Sequence, residues 1–183
     1  VIDCRCKDSA GYWLNMQCRP LTTAEERRAY LVAKERHERS WSRRSKDRVN
    51  PKSKQQDFAT HLLGARAELA FCILEGVEWP ATVDDFKNPD VPPDIEIRCR
   101  NSRWRNIIIR DNDIKKGADR RFVAGRLTEE GVFQFDGWCW GHEAIEWPRE
   151  DPGGYGAPAR FIPVNQLHRL PFYRGSKKAH TPR

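Results

Sequence analysis

At 183 residues the chain has the length of one domain with room for a sizeable core. Charged residues make up 32% and apolar residues 38%, yet seven tryptophans and eight phenylalanines exclude a disordered chain. No apolar run approaches a membrane span and no signal peptide is recognisable, so a soluble, cytoplasmic protein is the expectation. The net charge of +7 is concentrated in two places. From Lys34 to Lys54 there are nine basic residues against three acidic, and from Arg169 to Arg183 there are five basic and no acidic ones. The body between these stretches is net acidic. Two basic arms on an acidic body suit a phosphate-backbone partner; they also suit solvated segments that only aid solubility.

Residues 1–20 read as an irregular N-terminal extension, 21–170 as a single α/β domain, and 171–183 as a basic tail. Of the six cysteines, Cys4 and Cys6 form a C-x-C pair and Cys18 stands alone; none has the spacing of a zinc finger. Cys72 and Cys99 read as small core residues.

Thr22 with Glu25, and Thr23 with Glu26, each fit a capping box that opens a helix running to about Trp41. The following Arg43 and Arg44, next to Trp41, suit contact with a nucleic-acid backbone. From Arg43 to Gln56 the chain reads as a polar loop. A second helix is expected from Asp57 to Glu75, closed by Gly76, with Phe58, Leu62, Ala65, Leu69, Cys72 and Ile73 on its apolar face. Gly64 costs about 1 kcal/mol in a helix interior relative to alanine, which points to a close approach there. Glu68, one turn on, is either the group that uses that approach or a solvated helix acid.

Next comes Asn88-Pro89-Asp90-Val91-Pro92-Pro93-Asp94-Ile95-Glu96-Ile97-Arg98-Cys99-Arg100. Ile95, Ile97 and Cys99 alternate with Glu96, Arg98 and Arg100, which predicts a half-buried strand with a charged face. The proline pair is expected to stiffen the approach and keep it extended. Arg100, Arg103, Trp104 and Arg105 would form a basic, aromatic lip over which a backbone could pass, or a salt-bridge cluster neutralising Asp90, Asp94 and Glu96. Asn106 to Arg110 reads as a buried strand, and Asp111-Asn112-Asp113 as a turn that caps the next element. Arg121 to Leu127 and Val132 to Trp140 form a hairpin about Thr128-Glu129-Glu130-Gly131. A short helix starts at Gly141, where His142 is read as a structural histidine. Pro148 to Pro158 is a loop, Arg160 to Val164 a closing strand, and Asn165 the cap of a last turn to Leu170.

Asp90 followed by Glu96-Ile97-Arg98 is a Pro-Asp … Glu-x-basic signature. It resembles the PD-(D/E)XK nuclease superfamily, with Arg98 where that superfamily usually has lysine. His61 to Ala70 resembles the helix that opens a group of small phage-encoded proteins of this superfamily. Phe86 to Val91, Ile107 to Arg110, Phe135 to Trp138, and Phe161 to Val164 with Leu167 match that group in order, so the likeness runs roughly from Thr22 to Leu170.

The resemblance implies a mixed β-sheet flanked by helices with a restriction-endonuclease-like core. It implies Glu68, Asp90, Glu96 and Arg98 as catalytic residues. Glu68, Asp90, Glu96 and the Ile97 carbonyl would hold Mg2+, or Mn2+ in its place; Asp94 is a rival to Asp90. Carboxylate and carbonyl oxygens are hard ligands suited to magnesium. Arginine keeps its proton, so Arg98 would bind phosphate and cannot be a general base. The implied activity is phosphodiester hydrolysis in nucleic acid, DNA foremost, in a bacterial host cell, and the superfamily includes homodimers. The alternative is a DNA-binding module on the same fold without catalysis. A third reading is an interaction protein stabilised by zinc on Cys4, Cys6 and Cys18.

Overall fold

The computed structural model describes residues 16–42, 53–83, 87–101, 106–154 and 156–170. Cys4, Cys6, Arg43, Arg44, Arg103, Trp104, Arg105 and the basic tail lie outside the described residues.

Helix α1 (Thr23–Ser42) opens on the expected capping box. The Thr22 amide donates to Glu25 Oε2 (2.7 Å), and the Glu25 amide donates to Thr22 Oγ1 (3.3 Å). Helix α2 (Lys54–Glu75) starts three residues before the expected position. Ser53 caps it: the Gln56 amide donates to Ser53 Oγ and the Ser53 amide donates to Gln56 Oε1. Gly76 closes the helix in the left-handed region (φ 67°), where a residue without Cβ is favoured. The two helices run antiparallel, with Glu26 reaching Arg66 and His37 reaching Asp57.

The strands form two sheets rather than the single sheet expected. The larger has the order β1-β5-β4-β2, built from β1 (Met16–Gln17), β5 (Phe133–Trp140), β4 (Arg121–Leu127) and β2 (Ile95–Arg100). It is mixed: β2 runs parallel to β4, while β4 with β5 and β1 with β5 are antiparallel. The smaller sheet is antiparallel, with β7 (Ala159–Pro163) between β3 (Asn106–Ile109) and β6 (Arg149–Glu150). Helices α3 (Asp111–Lys116) and α4 (Gly141–Ala144) are short connectors.

Two cores result from the strand alternation. Ala65, Leu69, Phe71 and Cys72 of α2 pack with Ile95, Ile97, Val123, Phe133 and Phe135 on one face of the larger sheet. Phe122, Ala124 and Cys139 point the other way, into a second core with Ile107, Ile109, Ile114 and Ile162. The larger sheet is thus a middle layer, with helices on one side and the small sheet on the other.

Several expectations need correction. Met16 and Gln17 pair with Phe135 and Gln134, and the Cys18 amide donates to the Phe133 carbonyl, so the end of the supposed extension belongs to the sheet. The Pro92-Pro93 pair does not hold an extended approach. Val91 and Ile95 exchange backbone hydrogen bonds (3.0 and 2.9 Å), folding the chain into a turn immediately before β2. The 148–158 loop contributes β6, which pairs with β7. In place of an Asn165-capped turn there is a 3-10 turn over Val164–Gln166, after which His168 bridges to Trp138. Among the described residues no helix is long and apolar enough to cross a membrane.

Candidate active site and cationic cleft

Strand β2 is the edge of the larger sheet, and the sequence before it folds back along that edge. Asp90 therefore lies beside the strand it precedes. Its Oδ2 accepts a hydrogen bond from the Ile97 amide at 2.8 Å. This occupies an edge N–H that would otherwise be open to solvent, and it brings Asp90 next to Glu96, the Ile97 carbonyl and Arg98. Asp94, the rival, sits in the turn and not on the strand face. Arg121 takes both of its oxygens, at 2.9 and 2.5 Å. Of the two aspartates, Asp90 is the one placed with Glu96.

Glu96 departs from the expected charged, open face: it is buried at 8% exposure. Arg120, which precedes β4, donates to its Oε1 through a short contact, and Arg98 Nη1 lies 3.3 Å from its Oε2. Arg98 also reaches Asp113 Oδ1 (3.2 Å) and Asp90 Oδ2 (3.9 Å), and its guanidinium lies over the Phe122 ring. Asp113 does make the expected cap, accepting from the Arg110 amide at 2.9 Å. It serves Arg98 as well. His142 has no catalytic setting: it stacks on Trp140, exposed, with Nδ1 near the Ala118 carbonyl.

Glu68 is buried in the helix-side core, with its carboxylate held in a fork by Arg36 of α1 (2.6 and 2.7 Å). The Trp79 indole N–H donates to the same group at 3.2 Å. It is not a solvated helix acid. Burial, helped by the negative charge of Asp90, pushes Glu68 above the usual carboxylate range, while Arg36 pulls the other way. Burial and then Asp90 also push Glu96 upward, against the pull of Arg98 and Arg120. Asp90 at the strand edge is thus felt by both glutamates. They lie on opposite faces of β2, because Ile95 and Ile97 turn to the core that holds Glu68 while Glu96 and Arg98 turn to Phe122. Hence the three carboxylates share one electrostatic locale without meeting at one point. Among the described residues, the group of three His, Cys, Asp or Glu ligand atoms that lie within 4.8 Å of one another is His37, Asp57 and His61.

Beside this network a cleft of about 640 Å³ opens between α2, β2, β3 and β4. Gly64 lies on its wall; a Cβ there would meet only Glu68 Oε1, at 4.0 Å, so among the described residues the expected close approach is not found. Arg98, Arg100, Arg110 and Arg126 line the cleft against the single acid Asp136, which pairs with Arg126 at 3.4 Å. Arg100 and Arg110 have no acidic partner among the described residues. Burial, and then the like charge of Arg110, push the Arg100 guanidinium below its ordinary value. Two neighbouring cations with no acidic partner among the described residues make a site that favours phosphate.

The three partners missed from the sequence are Arg36, Arg120 and Asp113 as a bridge. Arg36 and Arg120 act from 32 and 24 residues away, and nothing in their local sequence marks them. Cys18 is buried in the apolar core, and burial raises its thiol to about 11; Cys4 and Cys6, the other residues of the zinc reading, lie outside the described residues. The fold and site define an α/β protein with a buried carboxylate–arginine network at a sheet edge, next to a cationic cleft. No protein-family model, curated protein or solved structure matches the chain.

Proposed function

We propose that the chain binds nucleic acid, DNA foremost, along the cationic cleft and hydrolyses its phosphodiester bonds with a divalent metal, on a restriction-endonuclease-like core. The observation that carries this reading is the clasp of Asp90 onto the Ile97 amide. It sets an aspartate beside Glu96, the Ile97 carbonyl and an arginine, at an open sheet edge that adjoins the cleft.

The donor chemistry fits magnesium, because every candidate ligand is an oxygen and Asp90 bears electrostatically on both Glu68 and Glu96. Asp90, Glu96 and the Ile97 carbonyl would hold Mg2+ or Mn2+, supported by Glu68. When bound, such a metal lowers the pKa of a water molecule and neutralises charge on the phosphodiester. A guanidinium is a multi-donor cation, so the part of Arg98 is to grip the phosphate and offset the charge that develops there. Arg100 and Arg110 would hold neighbouring phosphates and set the backbone in register without reading bases.

A second reading, a nucleic-acid-binding module without catalysis, is favoured by the ion pairs. Arg36 takes Glu68 in a fork, and Arg120 and Arg98 take Glu96. Cleavage of plasmid and single-stranded DNA at low salt, with magnesium, manganese or EDTA, separates the two. The nuclease gives metal-dependent cutting that disappears in Glu96→Gln, with the circular dichroism spectrum unchanged. Intact substrate in every metal, together with salt-sensitive binding that Glu96→Gln leaves alone, refutes the nuclease and leaves the binding module.

A further inference from the structure

A second cluster of metal-ligating side chains lies away from Asp90 and Glu96, where α1 and α2 meet near the segment that joins them. His37 comes from α1; Asp57 and His61 stand one turn apart on α2. His37 Nδ1 lies 3.1 Å from Asp57 Oδ2, and His61 Nε2 lies 3.4 Å from the same oxygen. All three ligand atoms fall within 4.8 Å of one another.

We propose that His37, Asp57 and His61 form a transition-metal site of the zinc class that clasps α1 to α2. The geometry is the first argument. Both imidazole nitrogens lie against a single carboxylate oxygen, so three donor atoms are gathered in one place. A tetrahedral metal with bonds of about 2.0–2.1 Å has donor-to-donor edges of about 3.4 Å; the two nitrogen–oxygen edges here are 3.1 and 3.4 Å, and the nitrogen–nitrogen edge falls within 4.8 Å. The donor set is the second argument. Two imidazoles and one carboxylate select zinc, cobalt or nickel over magnesium, which takes oxygen. Burial is the third: His37 and Asp57 are buried, and the rings of Phe58 and Trp41 flank His37. This shell excludes competing water, while the partly exposed flank of His61 gives a metal its way in and a place for a fourth, solvent ligand. The spacing in the chain gives the site a task. His37 and Asp57 are 20 residues apart, so a metal there closes the helical hairpin at its mouth, at the base of the segment that carries Arg43 and Arg44.

The test is cobalt(II) titration of the chelator-stripped full-length chain, followed by absorption, with wild type beside His61→Gln and Glu96→Gln. The expected result is one tight equivalent with visible d–d bands and no sulfur-to-cobalt band in the near ultraviolet; any weaker equivalent belongs to Asp90 and Glu96 and goes in Glu96→Gln. Tight binding should be lost in His61→Gln and kept in Glu96→Gln. Zinc should raise the thermal midpoint of wild type and leave that of His61→Gln unmoved. Circular dichroism of the metal-free His61→Gln chain checks that it folds, and Asp57→Asn serves as the second ligand variant. Absence of stoichiometric binding overturns the proposal. So does a site with a strong sulfur band that survives His61→Gln, since that places the metal on cysteines. Neither outcome depends on whether the protein cuts DNA.

Discussion

Replacing Arg36 by methionine tests the network at the partner of its most buried member, Glu68. The methionine keeps most of the apolar stem and removes the fork that holds Glu68. Both side chains are largely shielded, at 14% and 7% exposure, so the pair is not a screened surface bridge. Breaking such a pair costs about 3–5 kcal/mol, because one charge is left without compensation. The stranded carboxyl has one escape, which is to take up a proton. From an ordinary value near 4.5 that costs on the order of 3 kcal/mol at pH 7. The expected loss at pH 7 is therefore about 3–4 kcal/mol, or about 1.5–2 M in the urea midpoint for a slope near 2 kcal/mol/M. Proton uptake also sets the sign of the pH dependence. In the variant the folded state holds a proton on Glu68 that the unfolded state has released, so stability rises as pH falls toward 4.5. Burial already raises Glu68 in the wild type, which shares part of this slope, so between pH 7 and 5.5 the deficit should shrink by at most about 2 kcal/mol. Glu68→Gln behaves differently, because Arg36 has no such escape: it should be destabilising without that pH slope. A midpoint shift under about 0.5 M for Arg36→Met, or one that does not change between pH 7 and 5.5, would refute the ion-pair account of Glu68.

Three further outcomes are expected. Burial and Asp90 raise Glu96, so protonation should remove it from the site at a pH above the ordinary glutamate value; the acid limb of a pH–cleavage profile should lie above 4.5, and Arg120→Gln should move it higher still. Arg100→Gln and Arg110→Gln should each reduce the slope of log affinity against log salt on duplex DNA by about 0.9, while Glu96→Gln leaves it unchanged; unaltered slopes would remove the cleft from the binding path. Burial raises Cys18 to about 11 and Cys72, Cys99 and Cys139 to about 12. Mass mapping after iodoacetamide at pH 8 should find these four unmodified in the native chain and modified after denaturation.

The features legible in the sequence are local ones. Thr22 and Glu25 lie three residues apart, and the apolar face of α2 ends on Gly76. The hairpin from β4 to β5 turns on four residues. Ser53-x-x-Gln56 is equally local, but a long polar run masks it, and the expected start of α2 therefore falls late. The second sheet cannot be read in the same way. Asn106 to Ile109 has the composition of a buried strand, yet its partner Ala159–Pro163 comes some fifty residues later, and no residue of β3 names it. The site divides along the same line. Asp90 and Glu96 are marked by their own neighbours. The distant arginines that hold Glu68 and Glu96 come from α1 and from the approach to β4, and only the packing of helix on sheet brings them in.

Arg98 shows why that packing matters for chemistry. A lysine at this position would present one compact ammonium with a single centre of charge. The guanidinium does more: one nitrogen faces Glu96 and Asp90, the other faces Asp113, and its plane covers Phe122. Asp113 in turn caps α3, so Arg98 ties the edge strand to the helix after β3. A planar, multi-donor cation is what this position accommodates. The same property fixes its chemical role. Its fork matches two phosphate oxygens as well as it matches carboxylates. Phosphate arriving from the cleft would therefore compete with Asp113 and Glu96 for Arg98, and a carboxylate released in that exchange is free to take a metal. Substrate and cation would then bind in concert, each relieving the charge that the other exposes.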